Sequence, residues 1–170
     1  QKAVQELEKL RELIPDDERL YYALGGAYFE LNQPEKAIQA FEKFQTLSTG
    51  IDNGYREIAK YYEKNGNFEK AAEYLTKGLK AQPDSVESLS LLGAILSRLS
   101  KNAEAISIYK KLREVTGGNN AVNRQLAALM IEAGEFSEAF DIMDDLNKTT
   151  AADPINKILL GRAQIGLRKY

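Results

Sequence analysis

Residues 52–85 read DNGYREIAKYYEKNGNFEKAAEYLTKGLKAQPDS, and their organisation decides the fold because it repeats along the whole chain. Moving from Ala71 in steps of 34 residues lands on Ala3, Ala37, Ala105 and Ala139, without one insertion or deletion. A second register of small residues, Gly25, Ala59, Gly93, Ala127 and Gly161, keeps the same phase. So do an aliphatic series, Leu24, Ile58, Leu92, Leu126 and Leu160, and a series of large apolar residues, Leu7, Phe41, Leu75, Tyr109 and Met143. A fixed period of this length is the mark of a repeat architecture, in which each unit buries its apolar face against its neighbours.

Inside one period the apolar residues recur at helical spacing, as in Tyr21, Leu24, Tyr28 and Leu31, and again in Ala37, Ile38, Phe41 and Phe44. Each period therefore holds two helices. Asn32-Gln33-Pro34, Asn65-Gly66-Asn67, Ser100-Lys101-Asn102 and Ala133-Gly134-Glu135 form the tight turns between them. Pro15-Asp16-Asp17, Thr49-Gly50-Ile51-Asp52, Pro83-Asp84-Ser85, Gly117-Gly118-Asn119-Asn120 and Asp153-Pro154 separate one period from the next, where Pro or Gly stops a helix and Asp, Ser or Asn starts another.

These residues resemble the tetratricopeptide repeat, W-x2-L-G-x2-Y followed by A-x3-F and P over 34 residues. Residues 52–85 carry the pattern in Tyr55, Ile58, Ala59, Tyr62, Ala71, Leu75 and Pro83, and residues 18–51 in Tyr21, Leu24, Gly25, Tyr28, Ala37 and Phe41. Residues 86–119 and 120–153 follow it less closely, with Leu89 and Asn123 at the aromatic position. The resemblance implies an all-α, right-handed superhelical solenoid of antiparallel helix pairs. Residues 1–170 then form a single array: a second helix at 1–17, full repeats at 18–51, 52–85, 86–119 and 120–153, and a terminal first-type or capping helix at 154–170. Arg162, Gln164, Arg168 and Lys169 give that last helix a polar, solubilising side.

Function is bounded by composition. The chain has no His and no Cys, which removes the usual acid–base group near neutrality, the thiol nucleophile and the His/Cys metal cluster. Asp16 with Asp17 sits at an inter-repeat turn where capping accounts for it, and Asp144 with Asp145 are helix neighbours that splay apart. No phosphate loop, dinucleotide fingerprint or calcium loop is present, so neither an enzyme nor a cofactor is expected. Lys and Arg total 23 against 25 Asp and Glu, leaving no basic surplus for a nucleic acid. No apolar run approaches the roughly 20 residues of a membrane span, so no direct membrane contact is expected of this segment. The start at Gln1, inside a helical pattern, reads as a piece of a longer chain, and both cytoplasm and periplasm stay open.

In the family the first helices line a concave groove, and positions 2, 5, 6, 9, 12 and 13 of each face it. The resemblance thus nominates Tyr22, Phe29, Arg56, Lys60, Leu91, Ala94, Arg98, Arg124, Ala128 and Ile131 as the partner-binding face. Leu91, Ala94, Ala128 and Ile131 are the apolar anchors, with packing against adjacent repeats as the alternative for Leu91 and Ile131. The Lys, Asn and Arg clamp by which chaperone adaptors of the family hold a terminal carboxylate is missing: Tyr22, Gly26, Glu57, Glu87 and Leu91 stand in its place. The expected role is a scaffold for a partner's peptide or helix; the alternative is a structural spacer or homo-oligomerisation module whose repeat ends stack on another domain of the same chain or on a second copy.

Overall fold

The computed structural model describes residues 1–150 and 153–168, and among them it contains ten α-helices and no strand. They are α1 (Lys2–Leu13), α2 (Glu18–Glu30), α3 (Pro34–Leu47), α4 (Asn53–Lys64), α5 (Phe68–Ala81), α6 (Val86–Arg98), α7 (Asn102–Thr116), α8 (Asn120–Ala133), α9 (Phe136–Thr149) and α10 (Pro154–Leu167). The chain divides into two compact units, Gln1–Ser88 and Leu89–Tyr170, the boundary in sequence falling within α6. In the first, α2 pairs with α3, α4 with α5, α3 also meets α4, and α1 lies on α2. In the second, α8 packs on α7 and α9, while α10 rests on both α8 and α9.

The helix boundaries follow from local chemistry. The side chains of Asp17, Asn67, Asn119 and Asp153 accept hydrogen bonds from the backbone N–H groups of Arg19, Lys70, Val122 and Ile155, satisfying donors that have no partner inside the helix. Pro34 and Pro154 stand in first turns, where the missing N–H costs nothing. The turn inside each repeat places one residue in the left-handed region at the same point of the period: Asn32 (φ 55°), Gly66 (φ 74°), Ser100 (φ 56°) and Gly134 (φ 83°). Glycine takes that conformation freely, whereas Asn and Ser hold it at some strain.

The four registers become the core. Leu24, Ile58, Leu92 and Leu126 are buried, as are Ala37, Ala71, Ala105 and Ala139, and Phe41, Leu75, Tyr109 and Met143. The small series has a steric cause: a Cβ on Gly25 would stand 2.6 Å from the Phe41 ring, and one on Gly93 would stand 2.8 Å from the Tyr109 ring. Glycine there lets the first helix of a pair close onto an aromatic side chain of the second.

The register breaks at the two outer helices. Ala3 is exposed and Leu7 half-buried, and α1 has no buried residue. Leu160 is half-buried, and among the described residues nothing lies within 4 Å of where a Gly161 Cβ would be. In α10 the buried stripe is instead Asn156, Leu159, Ala163 and Gly166, and a Cβ on Gly166 would run into the Phe136 ring. The expected polar cap is only half of what α10 presents: Arg162, Gln164 and Arg168 are exposed, but so are Ile155, Ile158 and Ile165, with Ile158 at 61%. Lys169 lies outside the described residues.

Candidate functional site

The nominated residues all lie on first-type helices, and the structure gives them unequal roles. In the first unit, Tyr22 is 38% exposed although its ring is held on two sides, edge-on to Phe41 at 5.4 Å and to Phe44 at 5.1 Å. One turn along the same face Gly26 is open, and beyond it Phe29 stacks on Tyr61 of α4, centroids 4.4 Å apart. Burial raises the Tyr22 phenol pKa, with smaller influences from Glu57, Lys60 and Arg56 of α4. Lys60 is exposed and pairs with Glu57 at 2.8 Å. The Phe29–Tyr61 stack is what joins α2 to α4 along this face.

Arg56 is committed to the fold. Its Nη1 donates to Asp52 Oδ1 at 2.8 Å and its Nη2 to Asn53 Oδ1 at 2.7 Å. Asp52 is only 1% exposed, and its second oxygen accepts a hydrogen bond from the Ser88 hydroxyl. A carboxylate this deep requires a cation and donors around it, and Arg56 and Ser88 supply them. Arg124 has a parallel task in the second unit: its Nε donates to Asn156 Oδ1 at 2.7 Å and its Nη2 to the Asp153 carboxylate, tying α8 to the start of α10. Asn156 is fully buried and donates in turn to Thr150 Oγ1 at 2.7 Å.

Among the apolar anchors, Ala94 is exposed, and Leu91 and Ala128 are half-buried. Ile131, at 8% exposure, belongs to the core, which is the packing alternative named for it, on a helix that meets both α9 and α10. Arg98 is exposed at the end of α6. In the first unit, clefts of about 390 and 720 Å³ open beside α1, lined in common by Glu8, Tyr28 and Lys36. Tyr28 donates to the Glu8 carboxylate there, and its pKa is pushed up to about 12, first by burial and then by that carboxylate.

The two polar junctions were missed by sequence reasoning, although a signal existed. Arg stands at position 5 only in the second and fourth repeats, and only after those does position 3 of the next first helix carry a polar side chain, Ser88 and Asn156, where Leu20, Gly54 and Val122 stand elsewhere.

With this arrangement in hand, comparison with known proteins is direct. Tetratricopeptide repeat profiles match residues 56–121 and 18–49, together more than half of the chain. The chain belongs to the tetratricopeptide repeat family. Among curated relatives, TPR repeat-containing protein MJ0798 of Methanocaldococcus jannaschii is 40% identical over 60 residues, 35% of this chain and 18% of that protein. MJ0263 of the same organism is 38% identical over 58 residues, 34% of this chain and again 18% of that protein. The chain thus aligns with less than a fifth of either. Among solved structures, MamA aligns over 98% of this chain and 87% of its own, with TM-score 0.60 and 14% identity. YrrB, described as a TPR protein with an unusual peptide-binding site, aligns over 91% and 80%, with TM-score 0.64 and 17% identity. These likenesses establish the same all-α fold of antiparallel helix pairs. Among the described residues no cluster of three or more metal-ligating side chains occurs, and no helix is long and apolar enough to cross a membrane.

Proposed function

We propose that this tetratricopeptide array is a non-catalytic scaffold that binds a peptide or helix of another protein on the face of its first-type helices. The observation that carries the reading is Tyr22, a large aromatic side chain exposed on that face yet fixed by Phe41 and Phe44. A rigid, partly exposed aromatic loses little rotamer freedom on binding and brings a large contact area, which is why such residues dominate the energetics of interfaces. Gly26, open beside it, leaves room for a partner's side chain between Tyr22 and Phe29, and Lys60 and Glu57 provide a polar rim. The peptide-binding site named for YrrB supports the same class of role. Near-balanced charge argues for a protein partner rather than a nucleic acid.

A displayed peptide library tests this. Peptides selected on the native chain should lose about ten-fold or more in affinity for Tyr22→Ser and less for Lys60→Ala. Thermal melts of both variants should stay within a few degrees of the native chain. A library that yields no enriched peptide, or peptides that bind Tyr22→Ser as tightly, would overturn the proposal.

A further inference from the structure

Two asparagines of this chain are followed by glycine, Asn53 and Asn65, and the fold treats them in opposite ways. An Asn-Gly pair is able to close on itself, the backbone nitrogen of the glycine attacking the asparagine side-chain carbonyl carbon, Cγ. Glycine permits this because it has no side chain to shield its nitrogen. In a folded chain the attack waits on an opening that frees both the nitrogen and the side-chain amide, and the size of that opening sets the rate.

At Asn53 both groups are locked. The Gly54 N–H donates to Gln45 Oε1 of α3 at 2.8 Å, and Asn53 Oδ1 accepts from Arg56 Nη2 at 2.7 Å. Gly54 is buried, and a Cβ on it would stand 2.8 Å from the Phe41 carbonyl oxygen. Freeing this pair means parting α4 from α3 and pulling Arg56 away from the buried Asp52.

At Asn65 only the end of α4 holds the pair. Asn65 and Gly66 are exposed, and among the described residues nothing lies within 4 Å of where a Gly66 Cβ would be. The Gly66 N–H donates to Glu63 O at 2.9 Å and Asn65 Nδ2 donates to Tyr61 O at 2.8 Å, both carbonyls of the last turn of α4. Last turns fray at little cost, and fraying of this one releases the nitrogen and the amide together. Glycine at φ 74° then rotates freely toward the side chain.

We infer that Asn65-Gly66 is a site of spontaneous deamidation in the folded chain, and that Asn53-Gly54 is protected from it. As the bond between Gly66 N and Asn65 Cγ forms, the Cγ–Nδ2 bond breaks. The proton of the Gly66 nitrogen goes to the leaving amide, which departs as ammonia. Water opens the resulting five-membered imide at either carbonyl, giving aspartate in the ordinary linkage or an isoaspartyl residue whose main chain runs through the former side chain. Both products put a new carboxylate at the C-terminal end of α4, where the helix dipole disfavours it. The isoaspartyl product also adds a methylene to the main chain inside the turn that the Asn67 N–H closes on Tyr62 O at 2.9 Å. The modification thus loosens the α4–α5 pair.

Ageing the 170-residue chain at mildly alkaline pH, with peptide mass spectrometry at intervals, tests the inference. Residue 65 should convert at least about ten-fold faster than residue 53 in the folded chain, while in concentrated urea the two should convert at similar rates. The aged native chain should accept methyl groups from an isoaspartyl-specific methyltransferase. An aged Asn65→Gln chain should not, because glutamine would have to close a larger and slower ring. The separated modified chains should melt a few degrees below the unaged protein. A folded chain that keeps Asn65 intact while the urea-unfolded chain converts, one that converts residue 53 as fast as residue 65, or an Asn65→Gln chain that is labelled as fully as the native would each overturn the inference. Modified chains that melt with the native protein would overturn the effect assigned to the turn.

Discussion

Gly25 and Gly161 hold the same place in the 34-residue period, but in the α2–α3 pair the glycine faces the Phe41 ring, whereas in α10 it faces open space. Leu126 and Leu160 differ in the same way, one fully buried between helices and the other half-exposed. The register specifies which side of a helix is prepared for contact, and only a neighbouring helix turns that preparation into stability. This is the nearest-neighbour energetics of repeat proteins seen residue by residue.

The comparison is broken most readily at the leucines. Leu126→Ala removes a side chain with no exposed surface from α8 and should cost about 3 kcal/mol, within the usual range for such cavities. Leu160→Ala, at the equivalent site of α10, should cost about 1 kcal/mol or less, because much of that side chain already meets water. Urea unfolding of the two variants at low protein concentration measures both values. Equal losses would mean that α10 is packed on the side that is open here.

A smaller contrast lies at the two arginine junctions. Arg56→Ala leaves the Asp52 carboxylate buried without its cation and should destabilise by about 2 kcal/mol, short of the full penalty for breaking a buried pair because the Arg56 side chain is itself 19% exposed. Arg124→Ala should cost less, about 1 kcal/mol, since the Asp153 side chain is 29% exposed and regains water. Adding Asp52→Asn to Arg56→Ala should recover part of the first loss, which a double-mutant cycle reads as coupling. No recovery would show that Arg56 acts through packing alone.

Much of this was legible before any coordinates. The registers at Leu24, Gly25, Ala37 and Phe41 gave the helix pairs and their core, because close packing between helices needs particular sizes at particular places and so leaves a periodic trace. The face of the first helices was legible only as a face. The family register nominates Ile131 for the groove face of α8 but does not say how much of it neighbouring helices cover. The engagement of Arg56 and Arg124 escaped for a different reason: each network reaches the next first-type helix, through Asp52 to Ser88 for Arg56 and directly to Asn156 for Arg124, and charges read one helix at a time do not reveal it. The open space at Gly161 was hidden because its letter is the same as that of Gly25.

Overpacking provides the next contrast. Gly25→Ala places a methyl group against the buried Phe41 ring, which Tyr22 and Phe29 also contact at 5.4 and 5.5 Å between centroids, so it has little freedom to retreat. The helix gains about 1 kcal/mol in propensity from the substitution, and the clash costs about 1–3 kcal/mol. The net should be a loss of about 1 kcal/mol, visible as a lower midpoint in urea. A gain would mean that Phe41 moves aside without penalty.

The smallest effect should have the opposite sign. Gly161→Ala adds the same methyl group in the interior of α10, where no atom lies within 4 Å of it, so the overpacking that decides the outcome at Gly25 is absent. What remains is the backbone: alanine loses less conformational entropy than glycine on entering a helix, and the unfolded chain has fewer states to give up. The variant should therefore be more stable than the native chain by about 0.5–1 kcal/mol, the usual difference between the two residues at an exposed helical site. Urea unfolding at low protein concentration measures it. There the urea midpoint should rise for Gly161→Ala while it falls for Gly25→Ala. If Gly161→Ala lowers the midpoint, a neighbour already occupies that side of α10, and the difference between the complete helix pairs and the open one is not a property of the chain in solution.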